Sequence, residues 1–300
     1  MYYRFDLTDA QWQRIANFFH DRYHHGRRGR PWKDPRTLVN GILWHLHTGA
    51  PWPDTPERYG PWQTIYDRFN RWRKDGTWAK ILDALLLQLD KAGLIDRDLW
   101  CFDGTINRAH TAAAGAKKNP DPSPQLSGPE SMQMQEPQDH ALGRSRGGFG
   151  TKTHLVCDSH GILLAVWVTA GQRHETQGFE QVMGRAHRPR RAGRQRWPKW
   201  GAGDKGYSYP GVRDWLKRRH IGPVILTRED QPRDEDFDKA RYRRRNIIER
   251  AGGWFKWCRG LAFRFEKLAV NYVALWIIAN IQFLLRKYPE ALGVHLSETT

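Results

Sequence analysis

Two aspartates end short apolar segments, and a glycine follows each of them closely. Asp103 ends the segment LWCFD, and Asp204 ends WGAGD. Short apolar runs of this kind predict buried strands, so we expect each aspartate to close a strand. Carboxylate oxygens are the ligands that Mg²⁺ prefers, and two such ions about 4 Å apart can assist an in-line displacement at phosphorus. Gly104 and Gly206 would let a nucleic-acid backbone approach closely. These residues point to metal-dependent phosphoryl transfer.

A third carboxylate, Glu249, lies in a segment that predicts one long helix from Phe237 to about Trp257. Tyr242, Arg245 and Lys256 accompany it in the spacing Y-x2-R-x3-E-x6-K. At about 100° per residue, the four positions fall within about a 60° arc of a continuous helix. Glu249 would bind metal, the two cations would neutralise phosphates and the phenol would donate a hydrogen bond. The alternative is a salt-bridged surface stripe, because Arg245 and Glu249 are also spaced i,i+4.

The first 95 residues predict a small all-helical domain. Thr8 and Gln11 form a capping box at the start of one helix. Asp34 as cap and Pro35 at the first position begin a second helix, which stops near Gly49. These signals are local, so they predict the helix ends as well as the helices.

A third helix, from about Trp62 to Lys74, carries a basic face. Arg68, Arg71 and Arg73 lie opposite its apolar residues. A short helix, a tight turn and a basic helix make up a helix-turn-helix reader, so the three arginines are candidate DNA contacts. An ordinary solvated helix face is the competing interpretation.

After residue 95 the pattern changes to strands alternating with helices. Residues 111–148 contain few large apolar side chains and predict a long loop. Thr151–Cys157 and Ile162–Thr169 predict a hairpin, and a helix, a strand, a helix, a strand and the Glu249 helix follow. We therefore expect an N-terminal helical domain, a catalytic domain and a short C-terminal tail, over residues 1–95, 96–290 and 291–300.

The overall charge favours a polyanionic partner. Forty-nine Lys and Arg against 32 Asp and Glu leave a net charge of +17, which promotes binding to nucleic acid by counterion release. Three cysteines without CxxC spacing favour a reducing cytoplasm over a disulfide framework. The apolar run Tyr272–Leu285 is too short to cross a bilayer and predicts a buried helix, so we expect no membrane association.

The motifs around the three carboxylates resemble those of the DDE transposases of bacterial insertion sequences. The matching segments are FDGT at Asp103, GDKGY at Asp204 and the Y-R-E-K helix. TGAPWPDTPERYGPWQTIYDRFNRWRKDG, residues 48–76, and GRSRGGFGTKTHLVCD, residues 143–158, are similar to the same group, so the resemblance covers nearly the whole chain. It implies an α/β fold, a ribonuclease H-like mixed sheet with flanking helices, preceded by the helix-turn-helix-like domain.

The resemblance also implies the activity and its partners. It implies Mg²⁺ or Mn²⁺ dependence with two ions per active site, and recognition of terminal inverted repeats. It further implies a homodimer or higher multimer on DNA and a nucleoid-associated protein of the bacterial cytoplasm. It places Lys152 beside the site as a DNA contact. Two alternatives remain at this point: a ribonuclease H-like nuclease or junction resolvase with the same carboxylates, and a decayed relative that only binds DNA.

Overall fold

The computed structural model describes residues 3–19, 33–115, 135–187, 197–232, 235 and 237–292. Two further segments are predicted from their many arginines, a basic loop at residues 23–33 and a basic connector at 188–199, and both lie mostly outside the described residues. So do residues 116–134 of the predicted 111–148 loop and residues 293–300 of the predicted tail.

Within the described residues, four α-helices occupy the N-terminal region, and the capping signals predicted for the first two are present. They are α1 (Asp9–Gln13), α2 (Pro35–Thr48), α3 (Trp62–Lys74) and α4 (Thr77–Lys91). The capping box between Thr8 and Gln11 is present. Asp34 accepts a hydrogen bond from the Thr37 amide at the start of α2, and Gly49 ends that helix with a positive φ of 63°.

The second half of the chain alternates strands and helices. Its strands are β1 (Leu99–Ala109), β2 (Gly143–Ser145), β3 (Gly148–Asp158), β4 (Leu163–Ala170), β5 (Trp200–Gly203), β6 (Gly222–Ile225) and β7 (Phe263–Arg264). Its helices are α5 (Phe179–Ala186), α6 (Pro210–Lys217), α7 (Lys239–Arg244), α8 (Asn246–Lys256), α9 (Arg259–Ala262) and α10 (Ala269–Lys287). The predicted loop 111–148 thus contains a strand, β2, which pairs with the start of β3.

The seven strands form one mixed sheet with β1 near its centre. β3 pairs antiparallel with β1 on one side, and β4 continues the meander on the far edge of β3. On the other side β5 runs parallel to β1, and β6 runs parallel to β5. This mixed sheet with flanking helices, preceded by an all-helical region, confirms the predicted fold class.

The predicted single helix from Phe237 to Trp257 is wrong: α7 and α8 are separate helices. At Arg245 the backbone tightens, because its amide bonds to the Tyr242 carbonyl and its carbonyl accepts from the Ile248 amide, both three residues apart. The two helices pack on different surfaces: α7 contacts β6, whereas α8 contacts β1 and β3. Arg245 itself keeps helical dihedral angles, φ −55° and ψ −27°, so the interruption is a single residue. The four signature residues are divided between α7, Arg245 and α8.

One hydrophobic core runs through both halves of the chain. α4 and α2 pack on α10, and α2 also packs on α9. α10 is the one described helix with the length and hydropathy of a membrane span, but 78% of its most apolar window is buried inside the protein. We therefore interpret α10 as a core helix, longer than the predicted run. The boundary between residues 95 and 96 stays a prediction.

A buried polar network fixes the start of α10. The carboxylate of Glu136 accepts hydrogen bonds from the amides of Ala269 and Val270, at 2.8 and 2.9 Å. The fully buried Arg264 donates to the Ala141 carbonyl, the Thr151 hydroxyl and two further carbonyls. Ordered partners of this kind satisfy groups that would otherwise be costly to bury.

Candidate active site

Asp103 lies in the middle of β1, not at its end as the sequence predicted. Beyond Cys101 the strand loses its parallel neighbour β5, but it stays paired with β3 as far as Arg108. Pairing with β3, a partner distant in the sequence, extends β1 beyond Asp103. The apolar run from which the strand was predicted ends at Phe102. Asp103 therefore lies where one side of β1 becomes open.

Asp204 follows the last residue of β5, as predicted. Its carboxylate accepts a hydrogen bond from the Gly206 amide at 2.9 Å and caps a short 3-10 turn over Lys205–Tyr207. Cys101 of β1 is paired with Ala202 of the parallel β5, and two more residues along each strand lead to Asp103 and Asp204. The sheet thus brings the two aspartates side by side.

The electrostatics of Asp103 reflect this neighbourhood. Burial, together with the negative charges of Asp204 and Glu175, raises the pKa of its carboxyl from the usual 3.8 to about 6. A hydrogen bond from the Gly104 amide and the charge of Arg245 oppose this shift. A cation bound among these carboxylates would lower their pKa values, because a nearby positive charge favours the ionised form.

Glu249 lies on α8 and is paired with Arg245 rather than with the two aspartates. Arg245 Nη2 donates to Glu249 Oε1 at 2.5 Å, and the glutamate side chain is 52% exposed. Burial lowers the pKa of Arg245, but the hydrogen bond and the charges of Glu249 and Asp103 outweigh it and raise the pKa overall. Arg245 therefore connects Glu249 to Asp103 electrostatically. The predicted i,i+4 pair is present, and the place of Glu249 in the site stays a prediction.

The remaining signature residues lie around the same region. Lys256 Nζ donates to Thr105 Oγ1 at 2.7 Å, two residues beyond Asp103 on β1. The Tyr242 ring packs against Phe237, with the Arg245 guanidinium 5.5 Å from its centroid. The phosphate contacts predicted for these residues stay predictions.

Lys152 lies on β3 and is only 9% exposed. Its ammonium is 3.5 Å from Glu175 Oε1. Glu175 follows β4 in a 3-10 turn over Glu175–Gly178. The resemblance placed Lys152 beside the site, and Glu175 was not among the predicted catalytic groups. Gly104 and Gly206 were the signal in the sequence that could have pointed to a further side chain at the site, because each leaves space that the Glu175 side chain fills.

The three arginines of α3 are partly buried. Burial lowers the pKa of Arg73, and the charges of Glu136, Tyr66 and Glu266 partly offset that effect. Arg73 thus faces acidic groups of the protein itself. The DNA contacts predicted for Arg68, Arg71 and Arg73 stay predictions.

The donor set at the aspartates suits a hard divalent cation. Its members are carboxylate oxygens, the ligand type that Mg²⁺ and Mn²⁺ favour. In the present side-chain arrangement, no three His, Cys, Asp or Glu groups within the described ranges surround a single point closely enough for one ion. The negative charges of Asp204 and Glu175 beside Asp103 are the feature of the structure that favours a bound cation at this position.

Two family models match most of the chain. Residues 7–82 match a family described as a putative transposase of the IS4/5 family, and residues 96–284 match the transposase DDE domain family. An uncharacterized protein, y4sN of Sinorhizobium fredii, is 35% identical over 112 residues, which are 37% of this chain and 83% of that protein.

Two solved structures have low overall similarity. The Mos1 transposase paired-end complex with left transposon end is 11% identical, with a TM-score of 0.22, over 75% of this chain and 80% of that one. The pre-cleavage Mos1 transpososome is also 11% identical, with a TM-score of 0.24, over 88% and 80%. Similarity at this level carries no argument about this chain.

The family matches do identify the chain's family, since the DDE domain match alone covers more than half of the chain and contains all three carboxylates. The chain therefore belongs to the DDE transposases, enzymes that cut and rejoin DNA with the help of divalent metal ions.

Proposed function

We propose that this transposase binds the terminal inverted repeats of an insertion sequence, and that Asp103, Asp204 and Glu249 form its catalytic triad. The observation that carries the proposal is the register of β1 and β5, which brings Asp103 beside Asp204 within the DDE domain. The pairing of Arg245 with Glu249, together with its effect on Asp103, supports Glu249 as the third member.

The three carboxylates would hold two Mg²⁺ or Mn²⁺ ions. When bound, such ions lower the pKa of water and stabilise the attacking and leaving oxygens of an in-line displacement. Arg245 and Lys256 neutralise phosphate charge, Tyr242 donates a hydrogen bond, and Lys152 contacts DNA from β3. Released from its bond to Glu249, the Arg245 guanidinium can form a bidentate contact with a phosphate.

The reaction is a sequence of two phosphoryl transfers. Water attacks phosphorus at the element boundary, the P–O3′ bond breaks, and the departing oxygen takes a proton to become a 3′-hydroxyl. That hydroxyl then attacks a phosphodiester of target DNA and displaces another 3′ oxygen. No covalent bond between protein and DNA is required, so no nucleophilic Ser or Tyr is assigned.

DNA binding is divided between the two halves of the chain. The N-terminal region, with Arg68, Arg71 and Arg73 on α3, holds the element's end, mostly through phosphates. The net charge of +17 supports binding to both the transposon end and the target. We further propose that a homodimer or higher multimer assembles on the DNA, in the bacterial cytoplasm at the nucleoid.

The triad is tested with purified protein and labelled DNA bearing the element's ends. Asp103→Asn, Asp204→Asn and Glu249→Gln should each retain DNA binding and lose metal-dependent cleavage. Asp214→Asn, at an exposed position on α6, is the matched control and should cleave normally. Full strand transfer by Glu249→Gln would show that the third carboxylate is wrongly assigned.

A further inference from the structure

We propose that Glu175 is a fourth carboxylate of this active centre and binds the same divalent cation as Asp103 and Asp204. The inference rests on the proposed function, because it assumes a cation at the two aspartates. It adds a ligand from a different element, the turn between β4 and α5.

The glycines that follow the two aspartates both leave space for Glu175. A Cβ on Gly104 would lie 2.9 Å from Glu175 Cγ, and a Cβ on Gly206 would lie 2.2 Å from Glu175 Oε2. Non-bonded atoms do not approach so closely, so any side chain at either position would displace the carboxylate. Because neither position carries a side chain, the side chain of Glu175 can lie close to both Gly104 and Gly206.

The carboxylates of Glu175 and Asp204 converge on one small volume. Asp204 Oδ1 lies 2.9 Å from the point where a Cβ on Gly206 would stand, the same point that is 2.2 Å from Glu175 Oε2. The two oxygens are therefore at most about 5 Å apart, and two negative charges at that distance repel each other unless a positive charge lies near. The Lys152 ammonium lies 3.5 Å from the other oxygen of Glu175, Oε1.

Neighbouring side chains hold the turn that carries Glu175 in place. His174 Nδ1 accepts a hydrogen bond from the Thr176 amide, and His174 Nε2 lies 3.2 Å from the Tyr209 hydroxyl. Tyr209 belongs to the segment that follows Asp204, so this contact ties the two carboxylate-bearing segments together. On the other side, a Cβ on Gly178 would lie 2.4 Å from the His154 ring of β3. Glu175 is therefore positioned by a close-packed turn.

Glu249 has a different environment. It is half exposed and engaged with Arg245, whereas Glu175 is 23% exposed and directed at the aspartates. We therefore place Glu175 on the sheet side of the centre, close to the two aspartates, and Glu249 on the helix side.

Binding of Mn²⁺ to the full chain without DNA tests the assignment. The free-ion electron paramagnetic resonance signal gives the affinity of each folded variant. Glu175→Gln should weaken Mn²⁺ binding at least about tenfold, since removing even groups that only support metal ligands costs about 10–100-fold. Glu180→Gln, an exposed glutamate on α5, is the matched control and should bind as the wild type does. Asp204→Asn should also weaken binding.

Each outcome decides between the two proposals. Loss in Asp204→Asn with no change in Glu175→Gln would overturn the role of Glu175 and leave the proposed function intact. No loss in Asp204→Asn would contradict the proposed metal centre itself.

A second pair of variants covers the case in which Glu175→Gln folds poorly because Lys152 is left as an unpaired buried charge. Lys152→Met alone is the reference protein, because both variants then lack the ammonium beside Glu175. Lys152→Met with Glu175→Gln replaces both charges and should lose affinity about tenfold. Equal affinity in these two proteins would overturn the proposal.

Discussion

Replacing Asp103 by asparagine should stabilise the metal-free protein at alkaline pH. Burial, with the charges of Asp204 and Glu175, raises the pKa of Asp103 from 3.8 to about 6. Two pKa units correspond to about 3 kcal/mol, which the folded state loses when Asp103 ionises. Asparagine has nearly the same shape, can accept the hydrogen bond from the Gly104 amide and carries no charge.

The pH dependence follows from the direction of the shift. Above pH 6 Asp103 is ionised in both the folded and the unfolded chain, so the full cost of about 3 kcal/mol applies. Between 3.8 and 6 the folded state binds more protons, and the cost falls to roughly half near pH 5. Below 3.8 the carboxyl is protonated in both states, and the cost disappears. The gain in Asp103→Asn should therefore be largest at pH 8 and decrease as the pH falls.

The assay is urea unfolding with a metal chelator at pH 8 and pH 5, using Asp214→Asn as the control. Asp103→Asn should raise the free energy of unfolding by up to about 3 kcal/mol at pH 8 and by less at pH 5. Added Mg²⁺ should then stabilise the wild type more than Asp103→Asn, because a ligand stabilises only the state that binds it. A variant less stable than wild type at pH 8, or a gain independent of pH, would refute this account of Asp103.

Three further predictions concern packing, a buried cation and the helix carboxylate. Gly203→Ala should destabilise the protein by about 1–3 kcal/mol in urea unfolding, because the new Cβ would lie 2.2 Å from the Phe102 ring; Gly211→Ala, with open space around it, is the control and should cost nothing. Arg264→Met should cost at least about 3 kcal/mol, since several buried acceptors lose their donor, and an unchanged unfolding midpoint would contradict this. Glu249→Gln should reduce DNA cleavage by about two orders of magnitude or more with unchanged DNA affinity in a gel-shift titration; a parallel loss of affinity would indicate a structural role instead.

Local signals predicted the helical half of the fold well. Asp34, Pro35 and Gly49 mark both ends of α2, and the structure has that helix at Pro35–Thr48. Capping and helix termination depend on residues within one or two turns, so the sequence contains all the information needed.

Features set by distant partners were not predictable in the same way. The continuation of β1 past Asp103 depends on pairing with β3, some fifty positions later in the chain. The interruption between α7 and α8 at Arg245 accompanies their packing on different strands. Periodicity along a single segment contains neither piece of information.

For the candidate site, the sequence predicted residues but not how they are arranged. Asp103, Asp204 and Glu249 were identified from their motifs, and the sheet brings the two aspartates together. The place of Glu175 depends on space left by Gly104 and Gly206, which becomes visible only once three elements have been folded against each other.

The central claim is that the carboxylates joined by β1 and β5 cut and rejoin DNA. The most direct measurement incubates the purified chain with DNA carrying the element's own terminal repeats and a target plasmid, with and without Mg²⁺, beside Asp204→Ala. The account predicts cuts at the element ends that require the metal, products joined to the target, and neither in the variant, although the variant still binds the DNA. Cleavage and joining by Asp204→Ala at the wild-type rate would contradict it.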